Sequence, residues 1–228
     1  MRLDTLIGSA RYNFESGYIQ KAVTFINGDL SETTLTYTEF FQQAANYAAA
    51  LENDGIKAGD LVVLVMEQSI GVMTAFWGAM LLGAIPSIFP FHNDKLDRDH
   101  YFTNIRQLIG FEGVRAIITL AKFESDLRET LAGLGVEIIT AETLTGEGDP
   151  ALYFSRPDPD PEATAFLQHS SGSTGLQKGV MLSHRAVINQ LRSYYDDAQL
   201  DENFVIASWL PLYHDMGLIA GFILPVFS

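Results

Sequence analysis

Apolar positions recur along this chain with two different periods. Phe40, Phe41, Ala44, Ala45, Ala48 and Leu51 fall three or four residues apart, one face of a helix that runs up to Gly55. After a turn at Ala58-Gly59-Asp60, Leu61-Val62-Val63-Leu64-Val65-Met66 is apolar without a break, as a strand is when both faces of its sheet are covered. Val72, Phe76, Ala79 and Met80 restore the helical period between a Ser69 cap and a Gly83 stop. Residues 85–89 return to the sheet. Residues 99–109 then form a helix with Phe102, Ile105 and Ile109 together, followed by a strand at 115–119, a helix at 122–131 and a strand at 136–139. This alternation predicts an α/β fold, a mostly parallel sheet flanked by helices on both faces. Upstream, residues 21–27 and 33–37 read as extended pieces about a Gly28-Asp29 turn, and Thr36 with Glu39 forms a capping-box pattern. The first residues read as a lead-in whose Tyr12, Phe14, Tyr18 and Ile19 cover a neighbouring surface.

Residues 142–163 break the alternation. Gly146, Gly148, Pro150, Pro157, Pro159 and Pro161 are interleaved with Asp149, Asp158, Asp160 and Glu162, the composition of an acidic loop or connection. It divides the chain into a first α/β subdomain over residues 1–162 and the start of the next over residues 163–228. Its carboxylates lack paired ligand spacing, so they are read as solvated and no metal site is assigned. Farther on, Ser183 caps a helix that carries Val187, Leu191 and Tyr194 near one face, with His184 a structural residue in its first turn. Residues 204–208 read as another buried strand, 209–215 as a tight loop and 216–227 as the start of a further apolar element.

Composition narrows the function classes. Of 228 residues, 47% are hydrophobic, enough for a folded core. Lys and Arg total 14 against 28 Asp and Glu, a formal charge of -14, which disfavours nucleic acid and anionic membrane as partners because both reward clustered positive charge. There is no cysteine, which excludes disulfides and thiolate catalysis within this chain. The N-terminal residues lack the apolar stretch of a secretory signal, and no apolar run is long enough to cross a bilayer. A cytoplasmic location is the expectation.

The chemistry concentrates in residues 165–185, Ala-Phe-Leu-Gln-His-Ser-Ser-Gly-Ser-Thr-Gly-Leu-Gln-Lys-Gly-Val-Met-Leu-Ser-His-Arg. Gly172, Gly175 and Gly179 admit backbone shapes closed to other residues. Ser170, Ser171, Ser173 and Thr174 add hydroxyls, consecutive N–H groups in such a turn form an anion-binding nest, and Lys178 supplies a mobile positive charge. The same composition also makes ordinary surface turns. It is not the P-loop of ATPases, which needs Ser or Thr directly after the lysine and a helix thereafter. Here Gly179 follows Lys178, then Val180, Met181 and Leu182 form a short apolar run, so strand–loop–strand is expected.

Residues 166–180 resemble the glycine-rich ATP signature of the adenylate-forming superfamily. Trp209-Leu210-Pro211-Leu212-Tyr213-His214-Asp215-Met216-Gly217-Leu218 is similar to a second signature found in fatty acyl-AMP ligases and long-chain acyl-CoA synthetases. Gln177 stands where a proline is common, while Ser173, Thr174, Gly175 and Lys178 keep the pattern. The resemblance implies the N-terminal subdomain portion of an enzyme that activates a fatty acid with ATP and Mg²⁺, giving acyl-AMP and pyrophosphate. In that reading Ser170, Ser171, Gly172, Ser173, Thr174, Gly175 and Lys178 hold the nucleotide, and Lys178 offsets developing pyrophosphate charge. His214 lies on the carboxylate and acyl side. Asp215 fixes the turn or orients that ring, and Trp209, Tyr213 and Met216 line an acyl channel or the core. Ser171 is not a hydrolase nucleophile, since no nucleophile-elbow sequence surrounds it.

The implied acceptor is acyl carrier protein or, alternatively, coenzyme A, engaged through later parts of such enzymes. The later Thr-Glu segment, the acidic ribose-binding residue, the hinge and the C-terminal adenylation lysine have no counterpart in these 228 residues. The chain alone is therefore expected to be inactive in adenylation and to self-associate through uncovered apolar surface. A non-catalytic nucleotide-binding or assembly module is the reading from a different class.

Overall fold

The computed structural model describes residues 4–16, 20–92, 97–144, 146–169, 179–201 and 203–227. Helix α1 (Leu6–Glu15) leads into an antiparallel hairpin of β1 (Lys21–Ile26) and β2 (Glu32–Thr36). Then α2 (Tyr37–Asn53), β3 (Leu61–Val65), α3 (Ile70–Leu82), β4 (Ile85–Ile88), α4 (Arg98–Glu112), β5 (Ala116–Thr119), α5 (Ala121–Thr130) and β6 (Glu137–Thr140) alternate. A short α6 (Pro150–Phe154) precedes the antiparallel pair β7 (Thr164–His169) and β8 (Gly179–Ser183). After these come α7 (His184–Asp197), a π-helix (Met216–Ile223) and α8 (Leu224–Phe227).

The expected alternation is present as a four-stranded parallel sheet ordered β4-β3-β5-β6. β3 is buried along its whole length, and its side chains divide by parity. Val62 and Leu64 join the cluster formed with α2 and α3, while Leu61, Val63 and Val65 join the one formed with α4 and α5. Successive side chains of a strand point to opposite faces, so an unbroken apolar run requires a covered sheet. Each such side chain contributes roughly 1.5–3 kcal/mol by leaving water. The local signals hold as well. Thr36 and Glu39 cap α2 reciprocally, the Ser69 hydroxyl accepts from the Val72 N–H, and Gly83 ends α3 at φ 87°.

α3 has no polar face, every residue from Val72 to Leu82 being buried. α2 packs against it at Gly78, where an added Cβ would sit 2.5 Å from the Tyr47 Cβ and 2.6 Å from the Ala44 carbonyl oxygen. The same core continues into the later chain. Phe166 of β7 meets Phe76 at 5.6 Å between ring centroids, and Phe222 of the π-helix meets both Phe40 and Phe76.

Three expectations need correction. The lead-in is a helix, α1, because the Thr5 hydroxyl accepts from the Gly8 N–H and Leu6, Ile7 and Ala10 are buried. Phe14 does pack on Phe41 and Phe154, but Tyr12 is exposed, and Tyr18 and Ile19 lie outside the described residues. The acidic connection is anchored as well as solvated. Asp149 caps α6, whose Tyr153 and Phe154 are buried, and Gln42 and Asn46 of α2 hydrogen-bond the Gly148 carbonyl and N–H. Residues 204–208 are not a strand among the described residues. Phe204 and Ile206 are half-buried while Val205 is 90% exposed, so the alternation is there without a pairing neighbour.

His184 is structural, as expected. The buried ring accepts a hydrogen bond at Nδ1 from the Leu6 N–H (3.3 Å), one of the N–H groups that the first turn of α1 cannot satisfy within the helix. Burial pushes its pKa down to about 4, Asp158 opposing only in part. Protonation would remove the acceptor and set a positive charge against a helix N-terminus.

Two outcomes follow for stability. From pH 6.5 down to about 4 the unfolded chain binds a proton that folded His184 refuses. The stability from neutral His184 is therefore complete above that window and lost as pH falls through it, up to about 3 kcal/mol. Urea unfolding across this range is expected to show a smaller decline in His184→Asn than in the wild type. Gly78→Ala is expected to destabilise by about 1–3 kcal/mol because the helices must part, opposite in sign to alanine's helix preference, and the urea midpoint measures it.

Candidate functional site

The two motif segments meet at the end of β7. Register pairs His169 with Gly179, so the strands expected on either side of residues 170–178 are present and pair with each other. Ser170, Ser171, Gly172, Ser173, Thr174, Gly175 and Lys178 themselves lie outside the described residues. What is described is how their point of departure is held. The Gln168 Nε2 donates to the Tyr213 carbonyl at 2.7 Å, joining positions 45 residues apart. The next residue, His169, is buried, with Nδ1 3.1 Å from the Ser87 hydroxyl of β4 and the Phe89 ring edge-on at 5.3 Å. The last two residues of β7 are thus fixed from opposite sides.

The turn over residues 209–215 is built from its own backbone and two outside donors. The His214 N–H donates to the Pro211 carbonyl (3.1 Å), and the Leu218 N–H donates to the His214 carbonyl (2.8 Å). Leu212 is the buried anchor. The Gln68 Nε2, just past β3, donates to the Leu210 carbonyl at 3.3 Å. Gly217 lies so close beneath the turn that a Cβ would fall 2.2 Å from the Pro211 carbonyl oxygen. Only glycine allows that approach, at the second residue of the π-helix, a rare form that recurs at functional sites.

The candidate side chains separate by exposure. Trp209 is 87% and Met216 54% exposed, which removes both from the core. His214 is exposed and Tyr213 half-buried, their ring centroids 4.9 Å apart. The Asp215 carboxylate accepts from the Met216 N–H (2.8 Å), capping the π-helix. An imidazole, an indole and a thioether are thus open within residues 209–216, with the Tyr213 ring half-covered among them. Among the described residues no group of three or more His, Cys, Asp or Glu side chains is arranged to hold a metal, and no helix is long and apolar enough to cross a membrane.

Three supporting residues were not singled out from sequence. Gln168 carried a signal, a polar residue in the apolar run Ala165, Phe166, Leu167. Ser87 and Gln68 carried none, since their partners are 82 and 142 residues away.

Known proteins share this fold and part of its sequence. The chain is 27% identical to the medium-chain-fatty-acid–[acyl-carrier-protein] ligase JamA of Moorena producens, across 98% of this chain and 38% of that protein. It is 31% identical to the long-chain-fatty-acid–AMP ligase FadD28 of Mycobacterium tuberculosis, across 85% and 34%. The solved fatty acyl-adenylate ligase of L. pneumophila, in complex with acyl adenylate and pyrophosphate, superposes with a TM-score of 0.80 at 27% identity, over 99% of this chain and 38% of that one. The chain therefore spans little more than a third of these relatives' lengths. The AMP-binding enzyme family matches residues 19–228, and the chain belongs to that family.

Proposed function

We propose that this chain supplies the nucleotide loop and the adjoining acyl-side turn of a site that activates a fatty acid as its acyl-adenylate. The Gln168–Tyr213 hydrogen bond carries the reading, because it brings the base of the glycine-rich loop against the turn that bears His214. Carboxylate activation by a nucleotide needs that adjacency, with a group for the phosphates on one side and one for the carboxylate on the other. The relatives agree in kind. Two are named for ligation of fatty acids to AMP or to acyl carrier protein, and the L. pneumophila structure holds an acyl adenylate with pyrophosphate.

The donor set fits a polyphosphate. The loop residues Ser170, Ser173, Thr174 and the backbone N–H groups of the glycines offer neutral donors, and Lys178 offers one full charge. When bound, ATP would supply an electrophilic α-phosphorus and a pyrophosphate leaving group, and Mg²⁺ would add charge compensation for the phosphates. The chain's own residues align and compensate charge, the main resources for phosphoryl chemistry. Lys178 neutralises the phosphate tail. His214 orients the incoming carboxylate, and Trp209, Tyr213 and Met216 offer apolar surface for the acyl chain. JamA's name favours acyl carrier protein as the acceptor over coenzyme A.

Isothermal titration with ATP and Mg²⁺ is expected to show saturable binding that weakens at least about tenfold in Lys178→Ala, the size of a lost charge-assisted bond. Equal affinities would remove the phosphate role. Trp77 is buried and Trp209 is open, so tryptophan emission reads the turn. A fatty acid added with ATP is expected to shift emission to the blue in the wild type and not in Trp209→Phe. No shift in the wild type would sink the acyl-side assignment.

A further inference from the structure

We infer that Gln168 is a positioning residue, whose side-chain amide sets the spacing between the carboxyl end of β7, from which the glycine-rich segment departs, and the turn that carries His214. The inference deepens the activation reading and rests on it. Gln168 is 9% exposed, at the end of the buried stretch Ala165, Phe166 and Leu167. An amide there costs desolvation unless both ends are paired. Its Nε2 makes a short bond to the Tyr213 carbonyl, yet its Oε1 is buried with no hydrogen-bond partner. A site concerned only with packing would favour leucine or methionine, which carry no buried oxygen of their own. What glutamine adds is one directed bond from the strand that launches the loop to the turn beside it.

A second glutamine completes the arrangement. The Gln68 amide donates to the Leu210 carbonyl, so the two acceptors bracket Pro211-Leu212. The two bonds differ in strength. The Gln68 bond is longer and exposed, at 3.3 Å, so the part-buried 2.7 Å bond of Gln168 is the dominant one. With Leu212 buried and Gly217 against the Pro211 carbonyl, the turn has little freedom left except motion relative to β7. The Gln168 bond removes that freedom. Misplacing a reacting group by about 1 Å can cost a hundredfold in rate, so spacing between phosphate and carboxylate partners is a functional variable in its own right.

The test compares wild type with Gln168→Leu, Gln168→Glu and Gln68→Leu, with Gln190→Ala on α7 as the control, all on the full chain. Amide exchange is read at Tyr213, His214 and Asp215 without ligand, and urea midpoints are measured in parallel. Exchange at the turn is expected to rise about tenfold in both Gln168 variants and threefold or less in Gln68→Leu, with the control unchanged. The Gln168→Leu midpoint is expected to stay level or rise. A lower midpoint with unaltered exchange at the turn would make Gln168 merely structural and overturn the inference, and the glutamate variant decides the same point if the leucine variant folds poorly. ATP with Mg²⁺ is then titrated while backbone amides are followed. In wild type the amides of residues 170–178 and of the turn are expected to respond together, and in Gln168→Leu the loop alone. A turn that responds equally in Gln168→Leu overturns the inference and leaves the activation reading standing. A wild-type loop that ignores ATP overturns the activation reading, and with it the catalytic meaning of the tether.

Discussion

The two-sided burial of β3 is the constraint from which the rest follows. A strand with Val62 and Leu64 on one side and Leu61, Val63 and Val65 on the other cannot lie at a surface. It demands helices above and below, and strands on both edges to satisfy its backbone. β4 and β5 meet the second demand, while α2 with α3 and α4 with α5 meet the first. All three pairings in that sheet are parallel, so the carboxyl ends of the strands gather along one rim.

That rim is where the two motif segments are held. Gln68 lies just beyond the carboxyl end of β3, and Ser87 lies near the end of β4. One holds the turn of residues 209–215 and the other holds His169 at the base of the glycine-rich loop. Open α/β sheets bind ligands outside the carboxyl ends of their strands, and here the sheet contributes polar side chains that steady two segments from far along the chain. Rigidity in the sheet thereby becomes alignment at the rim.

The sheet was legible because its signals are local. A continuous apolar run, a reciprocal Thr36–Glu39 cap and a Gly83 stop each state their structure within a few residues. α1 was not legible, since its first N–H is satisfied by a ring 178 residues away. Asp149-Pro150 read as a loop by composition, although an acidic cap followed by proline at the first helical position is also how a helix opens. Residues 204–208 have the alternation of a strand, but alternation says nothing about whether a partner lies alongside. At the site the two motif segments were visible in the sequence as separate features. Their junction was not, because neither Gln168 nor Gln68 announces which distant carbonyl it will reach.

The π-helix beyond Asp215 has a mechanical consequence. A π-turn holds one residue more than an α-turn and is the poorer conformation for an isolated segment. Were that stretch to wind as an ordinary helix with every residue kept, the residue no longer taken up by the wider turn would rotate everything upstream by about 100° around the axis. Gly217 would swing out from under Pro211, and the imidazole of His214 would face elsewhere. The wider turn therefore works as a shim, a local sacrifice of helix quality that absorbs one residue and keeps the neighbouring turn aimed.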